Sequence, residues 1–359
     1  MATSAATIDS RLTAPGVAAR GGAWVALAAG VLAAGLFNSD TAAYAITAAI
    51  YVLIGLSLNV ILGYIGQMSL GHQGLMGSGA LFAAYLSTAH GLPFAVDLVV
   101  AGVAGGVVAV LVGVVALRVR GLYLALVTLV VGITLQTSLF EVPSLTGGGA
   151  GEPANRPTLL LSNDRFYLVC VAVVIGALYL DTRLTGSKAG RAFLAIKEDE
   201  RVAAAFGINV VGYKLLAFVL SGILAGVAGG LYAFSSEQFN GNNFSFLLAL
   251  TFVLMTVVGG AGSRAGVVAG SVLFAVLQTF LANFFLFKDF TQLFPTNLSN
   301  NLLQFGPNLV AALLLLITLA VNPRGMAQQI EPVVAWMRGG PYRGADRSHA
   351  IREGISGRP

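Results

Sequence analysis

Charge is what this chain has least of. Asp, Glu, Lys and Arg make up 10% of its 359 residues and hydrophobic residues 57%, whereas soluble globular domains carry about 25% charged residues. So little charge cannot cover a water-facing surface, and the composition assigns most of the chain to lipid. Cysteine is scarcer still: Cys170 stands alone, which excludes a disulfide framework and a thiolate metal site. The phosphate-binding pattern Gly-x-x-x-x-Gly-Lys-Ser/Thr is missing. Its nearest string, Thr185-Gly186-Ser187-Lys188, lacks the earlier glycine, so the chain is not expected to hydrolyse ATP alone. There is no His-Glu-x-x-His helix, serine nucleophile elbow or paired Cys/His spacing, and His72, His90 and His349 are scattered. No catalytic residue, bound cofactor or metal ligand is expected.

The charge that is present has a direction. A helix rises about 1.5 Å per residue and needs roughly 20 apolar residues to cross a hydrocarbon core of about 30 Å. The charge-free runs support ten spans, near residues 23–39, 43–62, 70–90, 94–117, 121–142, 166–182, 214–235, 244–259, 266–286 and 307–321. Lys and Arg beside span ends mark the cytoplasmic side. Arg11, Arg20, Arg118, Arg120, Arg264 and the six Arg residues from Arg324 to Arg358 fall on one face, with Arg156, Arg165 and Lys288 on the other. An even count puts both termini in the cytoplasm. The resulting plan is a cytoplasmic segment over 1–22, a transmembrane domain over 23–325 and a cytoplasmic tail over 326–359. The tail, with Arg among Gly, Pro and Ser, is expected to be disordered and solvated, contact with anionic lipid being the alternative. A cleaved signal peptide is the alternative for the start, although a 20-residue polar lead with two Arg residues fits that pattern poorly. The pI of about 9.5 reflects these loops and tail. It is a signal of orientation rather than of nucleic-acid binding.

None of the expected spans carries Asp, Glu, Lys or Arg at its centre. Proton-coupled carriers place ionisable groups at that depth, so their absence argues against such a mechanism. Sodium coupling through the carbonyls of broken helices stays open.

One stretch reverses the scarcity. Residues 183–214 hold nine of the chain's 35 charged side chains: Arg183, Lys188, Arg191, Lys197, Glu198, Asp199, Glu200, Arg201 and Lys214. This island lies between two expected spans and forms a cytoplasmic loop over 183–213. Residues 191–206 contain no Gly or Pro, and Gly207 stands where a helix terminator belongs, which predicts one short helix. Phe193, Ile196, Ala203 and Phe206 recur near three- and four-residue spacing and form an apolar stripe, with Lys197, Glu198 and Arg201 to the other side. Such a stripe framed by mixed charge is expected to enter a groove on another protein. The alternative is a helix lying on lipid headgroups, whose polar face is generally basic; the three consecutive acids argue against it.

Between Gly63 and Gly79 there are six glycines among Gln67, Ser69, His72, Gln73 and Ser78. Glycine at that density costs a helix interior up to about 1 kcal/mol per residue, so a broken or re-entrant span is expected. Irregular backbone at membrane depth is tolerated where it is buried in protein or lines a wet cavity. Asn59, Gln67, Ser69 and His72 are therefore candidates for a translocation path, with Gly66 and Gly71 between them. Close helix packing accounts for Gly74, Gly77 and Gly79, and a hydrogen-bonded structural role is the alternative for His72. A second glycine cluster, including Gly259, Gly260 and Gly262 and reaching Gly270, suggests a weak internal repeat and joins the candidate path.

Several of these strings together resemble a known family. They are Leu58-Asn59, then Gly63 to His72; Arg120 to Leu129; Leu145-Thr146-Gly147-Gly148; Gly190 to Asn209; Ser221 to Tyr232; Gly259 to Ser263 with Gly266; and Asn322-Pro323-Arg324-Gly325. In this order they resemble the branched-chain amino acid ABC transporter permeases of the LivM type. Arg264-Ala265-Gly266-Val267 departs from the family, which commonly has an aromatic residue and a Gly-Pro pair there. The resemblance implies an all-α importer permease in a bacterial plasma membrane. It also implies a second homologous permease subunit, two ATPase subunits carrying ATP and Mg, and an external binding protein that delivers Leu, Ile or Val. The island would be the coupling segment that docks on an ATPase, through Gly190, Arg191, Phe193, Ile196, Lys197, Glu198, Asp199, Glu200, Arg201, Ala204, Phe206 and Gly207. Related permeases for urea or short amides are the first alternative reading; an ATP-independent channel or carrier is another.

Overall fold

The computed structural model describes residues 39–116, 119, 121–142, 154–236, 240–283 and, beyond them, 313, 325–327, 330 and 334. The expected first and last spans, the segment 1–22 and most of the tail lie outside the described residues. Among the described residues every regular element is helical. Helix α1 (Ser39–Leu58) runs straight into a π-helix (Asn59–Ile65), and a short coil leads to α2 (His72–His90). Then come α3 (Phe94–Ala116), α4 (Leu122–Leu139), α5 (Asn163–Gly186), α6 (Lys188–Glu198), α7 (Glu200–Ala205), α8 (Val210–Ser235), α9 (Phe246–Gly259) and α10 (Arg264–Asn283).

Among the described residues six segments are long and apolar enough to cross a membrane: Thr41–Ile65, Phe94–Val115, Leu122–Leu139, Asn163–Gly186, Val210–Ser235 and Gly241–Gly259. Helices α2 and α10 occupy the two other spans expected in this region. Helix α2 is the more polar of the two, and the bundle encloses it: residues 72–81 are all buried.

Helix α8 lies at the centre, packed along α1, α2 and α3. Its small residues make this possible. A Cβ added at Gly226 would strike the Ala101 carbonyl of α3, and one at Gly229 would strike the Met76 carbonyl of α2. Lipid tails are as apolar as Leu, so helices in a bilayer gain by close backbone approach rather than by hydrophobic burial. The expected packing role of Gly74, Gly77 and Gly79 is found. Gly74 abuts Gly132 of α4 with 2.8 Å between an added Cβ and the Gly132 Cα, Gly77 lies under the rings of Phe244 and Phe140, and Gly79 meets Gly226. The outer faces of α3 and α5 expose Val99, Val103, Val107, Leu111, Ile175 and Leu180, as a lipid-facing surface should.

The two ends of α8 carry different chemistry. At its C-terminus Arg156 donates hydrogen bonds to the carbonyls of Phe234 and Ser235 and lies 4.7 Å from the centre of the Phe166 ring. A cation is favoured there by the helix dipole. The charged island precedes the other end. Arg156 thus sits at the end of the bundle opposite the island, as the loop pattern predicted.

The described start of the tail is held to the bundle: Met326 donates its amide to the Val258 carbonyl at 2.8 Å and Ala327 is buried against Gly266. Ile330 bonds back to Met326. The carbonyls freed where α9 ends need donors, and the start of the tail supplies one.

Replacing Gly226 or Gly229 with Leu should cost at least about 1–3 kcal/mol through overpacking, whereas Gly176→Leu on α5, where an added Cβ meets nothing within 4 Å, should be near neutral. Thermal unfolding in detergent checks the contrast.

Candidate functional site

The island is built as two helices, not one. Asp199 is extended, at φ −158° and ψ 117°, and its Oδ1 accepts from the amides of Arg201 at 2.7 Å and Val202 at 3.1 Å. An aspartate that caps the following turn competes with helix continuation, which is why the predicted helix over 191–206 breaks there. These two amides hold the Asp199 carboxyl below the usual aspartate range. Gly207 ends α7 as predicted: its amide bonds to Ala204 and that of Ile208 to Ala203, a Schellman pair. At the other end Ser187 caps α6 by accepting from Gly190.

The apolar stripe also has a different destination. Phe193, Ile196 and Ala203 are buried against Val60, Tyr64 and Ile65 of the π-helix and Ala217 of α8, within this chain. Sequence periodicity identified the stripe but not its partner. Phe206 departs from it and is 82% exposed, together with Leu194 and Val202. The surface left for another molecule therefore consists of Leu194, Val202, Ala204 and Phe206, with Arg191, Glu198 and Arg201 exposed nearby. Glu200 is turned inward and pairs with the buried Lys214 at 2.5 Å.

Under α6 lies a junction where two chain breaks meet. The π-helix ends at Gly66, whose φ of 75° suits glycine. Lys197 Nζ donates to the Gly63 carbonyl at 2.8 Å, and its Cγ lies 3.1 Å from the place of a Gly66 Cβ. The second break follows α9, where Gly262 has φ 99°. The Gly262 amide donates to Asn59 Oδ1 at 2.7 Å, joining the breaks across 203 residues of sequence. Beside them Tyr64 donates to Asp181, whose Oδ2 is 3.2 Å from Arg264 Nε. Sequence reasoning missed Tyr64, Asp181, Arg264 and the Glu200–Lys214 pair. The departure from the family at Arg264 was the available signal. A groove of about 730 Å³ opens between α6 and α7 on one side and Ile65 to Met68 with Gly121 and Leu122 on the other.

The candidate path residues do not form one open wall. Asn59, Ser69, Gly71 and His72 are buried; Gly66 is exposed and Gln67 half-buried on the groove. His72 Nε2 is 2.8 Å from Ser221 Oγ while its Nδ1 is buried without a hydrogen-bond partner, and Ser57 donates to the Ser221 carbonyl. Ser69 Oγ accepts weakly from Gly71, which packs on the Thr128 carbonyl, and Thr128 Oγ1 accepts from the Leu70 amide. Gly259 packs on Gly266, and Gly260 returns its amide to Thr256 and Val257. No group of three or more His, Cys, Asp or Glu suited to a metal occurs among the described residues.

Fold and site together define an all-helical polytopic membrane protein with a rigid charged projection at one end. Residues 41–321 match the family described as "Branched-chain amino acid transport system / permease component", and the chain belongs to that family. It is 32% identical over 263 residues to the "High-affinity branched-chain amino acid transport system permease protein LivM" of Salmonella typhimurium, covering 66% of this chain and 62% of that protein. The Escherichia coli protein of the same description gives the same identity and coverage. A "Probable branched-chain amino acid transport permease protein LivH" of Methanocaldococcus jannaschii is 28% identical over 158 residues, 44% of this chain and 45% of that one. The chain thus matches somewhat less than two thirds of the length of its bacterial relatives. None of the solved structures matches it at a significant level.

Two outcomes follow from this geometry. Arg264→Gln strands the Asp181 carboxylate and should destabilise the protein more than Arg264→Gln combined with Asp181→Asn, with a coupling of about 0.5–3 kcal/mol in a double-mutant cycle. Because the folded pKa of Asp199 is depressed, its capping contribution is full above the ordinary aspartate pKa of about 4 and is lost as pH falls through the lower folded value. Hydrogen exchange at Arg201 and Val202, corrected for intrinsic rates, should show α7 fraying in that acid window. Asp199→Ala should fray it at every pH.

Proposed function

We propose that the chain is the membrane-spanning permease subunit of an ATP-driven ABC importer for branched-chain amino acids. In this reading it works with a second homologous permease subunit, two ATPase subunits that carry ATP and Mg, and an external binding protein that delivers Leu, Ile or Val. It lies in a bacterial plasma membrane with both termini cytoplasmic. The observation that carries the reading is the island: two short helices seated on the bundle by their own buried side chains, with Phe206, Val202 and Leu194 left bare among charges of both signs. An apolar anchor with a mixed-charge rim fits a protein partner better than a lipid surface, whose helices carry a basic rim. The relatives' printed descriptions as branched-chain amino acid permeases support the substrate. So does the lack of central charge, since a zwitterion with an aliphatic side chain needs no fixed counter-charge along its route.

Proteoliposomes holding the chain with its partner permease, ATPases and binding protein should take up radiolabelled leucine only when ATP is supplied, and excess urea should not compete. Phe206→Asp, or joint replacement of Glu198, Asp199 and Arg201, should abolish ATPase co-purification and uptake while membrane insertion persists. Uptake that continues without ATP or the ATPases would replace the reading with a channel or carrier.

A further inference from the structure

Lys197 belongs to the island but bonds to the membrane domain. Its ammonium holds the Gly63 carbonyl at 2.8 Å, its stem crosses Gly66, and its Nζ lies 3.8 Å from the place a Gly262 Cβ would take. Around it, Phe193, Ile196 and Ala203 share one buried cluster with Val60, Tyr64 and Ile65. Helix α6 and the π-helical end of α1 are therefore packed as one body. The coil from Gly66 to Gly71 begins on that body, where the Gln67 amide donates to the Ile61 carbonyl at 3.0 Å, and ends against α4, where Thr128 accepts from the Leu70 amide. It leaves through the left-handed Gly66 and passes two exposed residues, Gly66 and Met68, before it reaches the enclosed α2.

We propose that Lys197 is a positioning residue that makes the π-helix Asn59–Ile65 travel with the island, so that movement of α6 is passed along residues 66–71 to α2. A π-helix is rare and frequently marks a functional site. Here its freed carbonyl is held by a side chain from the element that would be moved. Lysine suits this role because its flexible stem can follow small displacements while its point charge keeps the carbonyl. The inference rests on the permease reading, and it assigns Lys197 to transmission within this chain rather than to gripping the ATPase.

The test uses the complete reconstituted transporter and measures leucine moved per ATP hydrolysed. Lys197→Met keeps the stem over Gly66 and removes the hydrogen bond. It should leave ATPase co-purification intact and lower the transport-to-hydrolysis ratio by about fivefold to tenfold. A covalent replacement separates tethering from charge. An added Cβ at Gly66 lies 3.9 Å from Lys197 Cβ, close to the usual disulfide spacing of about 3.8 Å, and the native Cys170 is buried. The Gly66→Cys, Lys197→Cys protein should be poorly coupled when reduced and regain coupling when oxidised, with Gly66→Cys alone showing no redox response. A wild-type ratio in Lys197→Met, loss of ATPase co-purification in that variant, or an oxidised double variant as poor as the reduced one would each overturn the tether. Wild-type protein that shows no ATP-dependent uptake would overturn the permease reading beneath it.

Discussion

Backbone that leaves a helix at membrane depth has no water to bond with, so each freed amide or carbonyl must find a partner in the protein. Among the described residues the chain leaves its helices after Ile65 and after Gly259 at the island end, and these two breaks share one set of contacts. Asn59 takes the Gly262 amide, Lys197 takes the Gly63 carbonyl, Thr128 takes the Leu70 amide and Met326 gives its amide to Val258. Segments distant in sequence are thereby fixed to one another: α1, the island, α4, α9 and the start of the tail. Removing one partner leaves the other polar group short of a hydrogen bond, at a cost that rises with how far it is buried.

The same constraint explains why the island is stiff although it is short. Helices of six and eleven residues are marginal alone. These two are held by Ser187 and Asp199 at their starts, by the Gly207 turn at the end, and by the Glu200–Lys214 pair. Burial of Phe193 and Ile196 adds about 1.5–3 kcal/mol for each side chain removed from water.

How much of this was legible in the sequence depended on the range of the interaction. Local signals read well. The charge-free runs located the described spans, the glycine density located the break before His72, and Gly207 marked the end of the island's second helix. Interactions between distant residues left little trace. Nothing near Asn59 names Gly262 as its partner, and Asp181 merely closes an apolar run until Tyr64 and Arg264 are brought to it. The stripe of Phe193, Ile196 and Ala203 is an intermediate case. Periodicity shows that a face is apolar but cannot say whether the covering surface belongs to the same chain. Asp199 was misread for a different reason: a run free of Gly and Pro was read as one helix, although Asp is weak inside a helix and favoured as a cap, and its side chain captures the next two amides.

The placement of charge bears on what drives transport in the proposed importer. Among the described residues, the buried charged groups lie near helix ends. Asp97 is in the first turn of α3, Asp181 is near the end of α5, and Lys214 is in the first turns of α8. Between these ends the buried polar groups include Ser57, Asn59, His72, Gln73, Thr128, Ser221 and Ser271, with no Asp, Glu, Lys or Arg among them. A proton gradient acts on a protein through groups that gain or lose charge along the route, and between those ends the described part of the bundle buries no Asp, Glu, Lys or Arg for it to act on. The island end is where this chain combines an exposed apolar anchor with a pair of short helices packed on the π-helix that leads to the enclosed α2, which is where a partner's push would meet the bundle in the proposed importer.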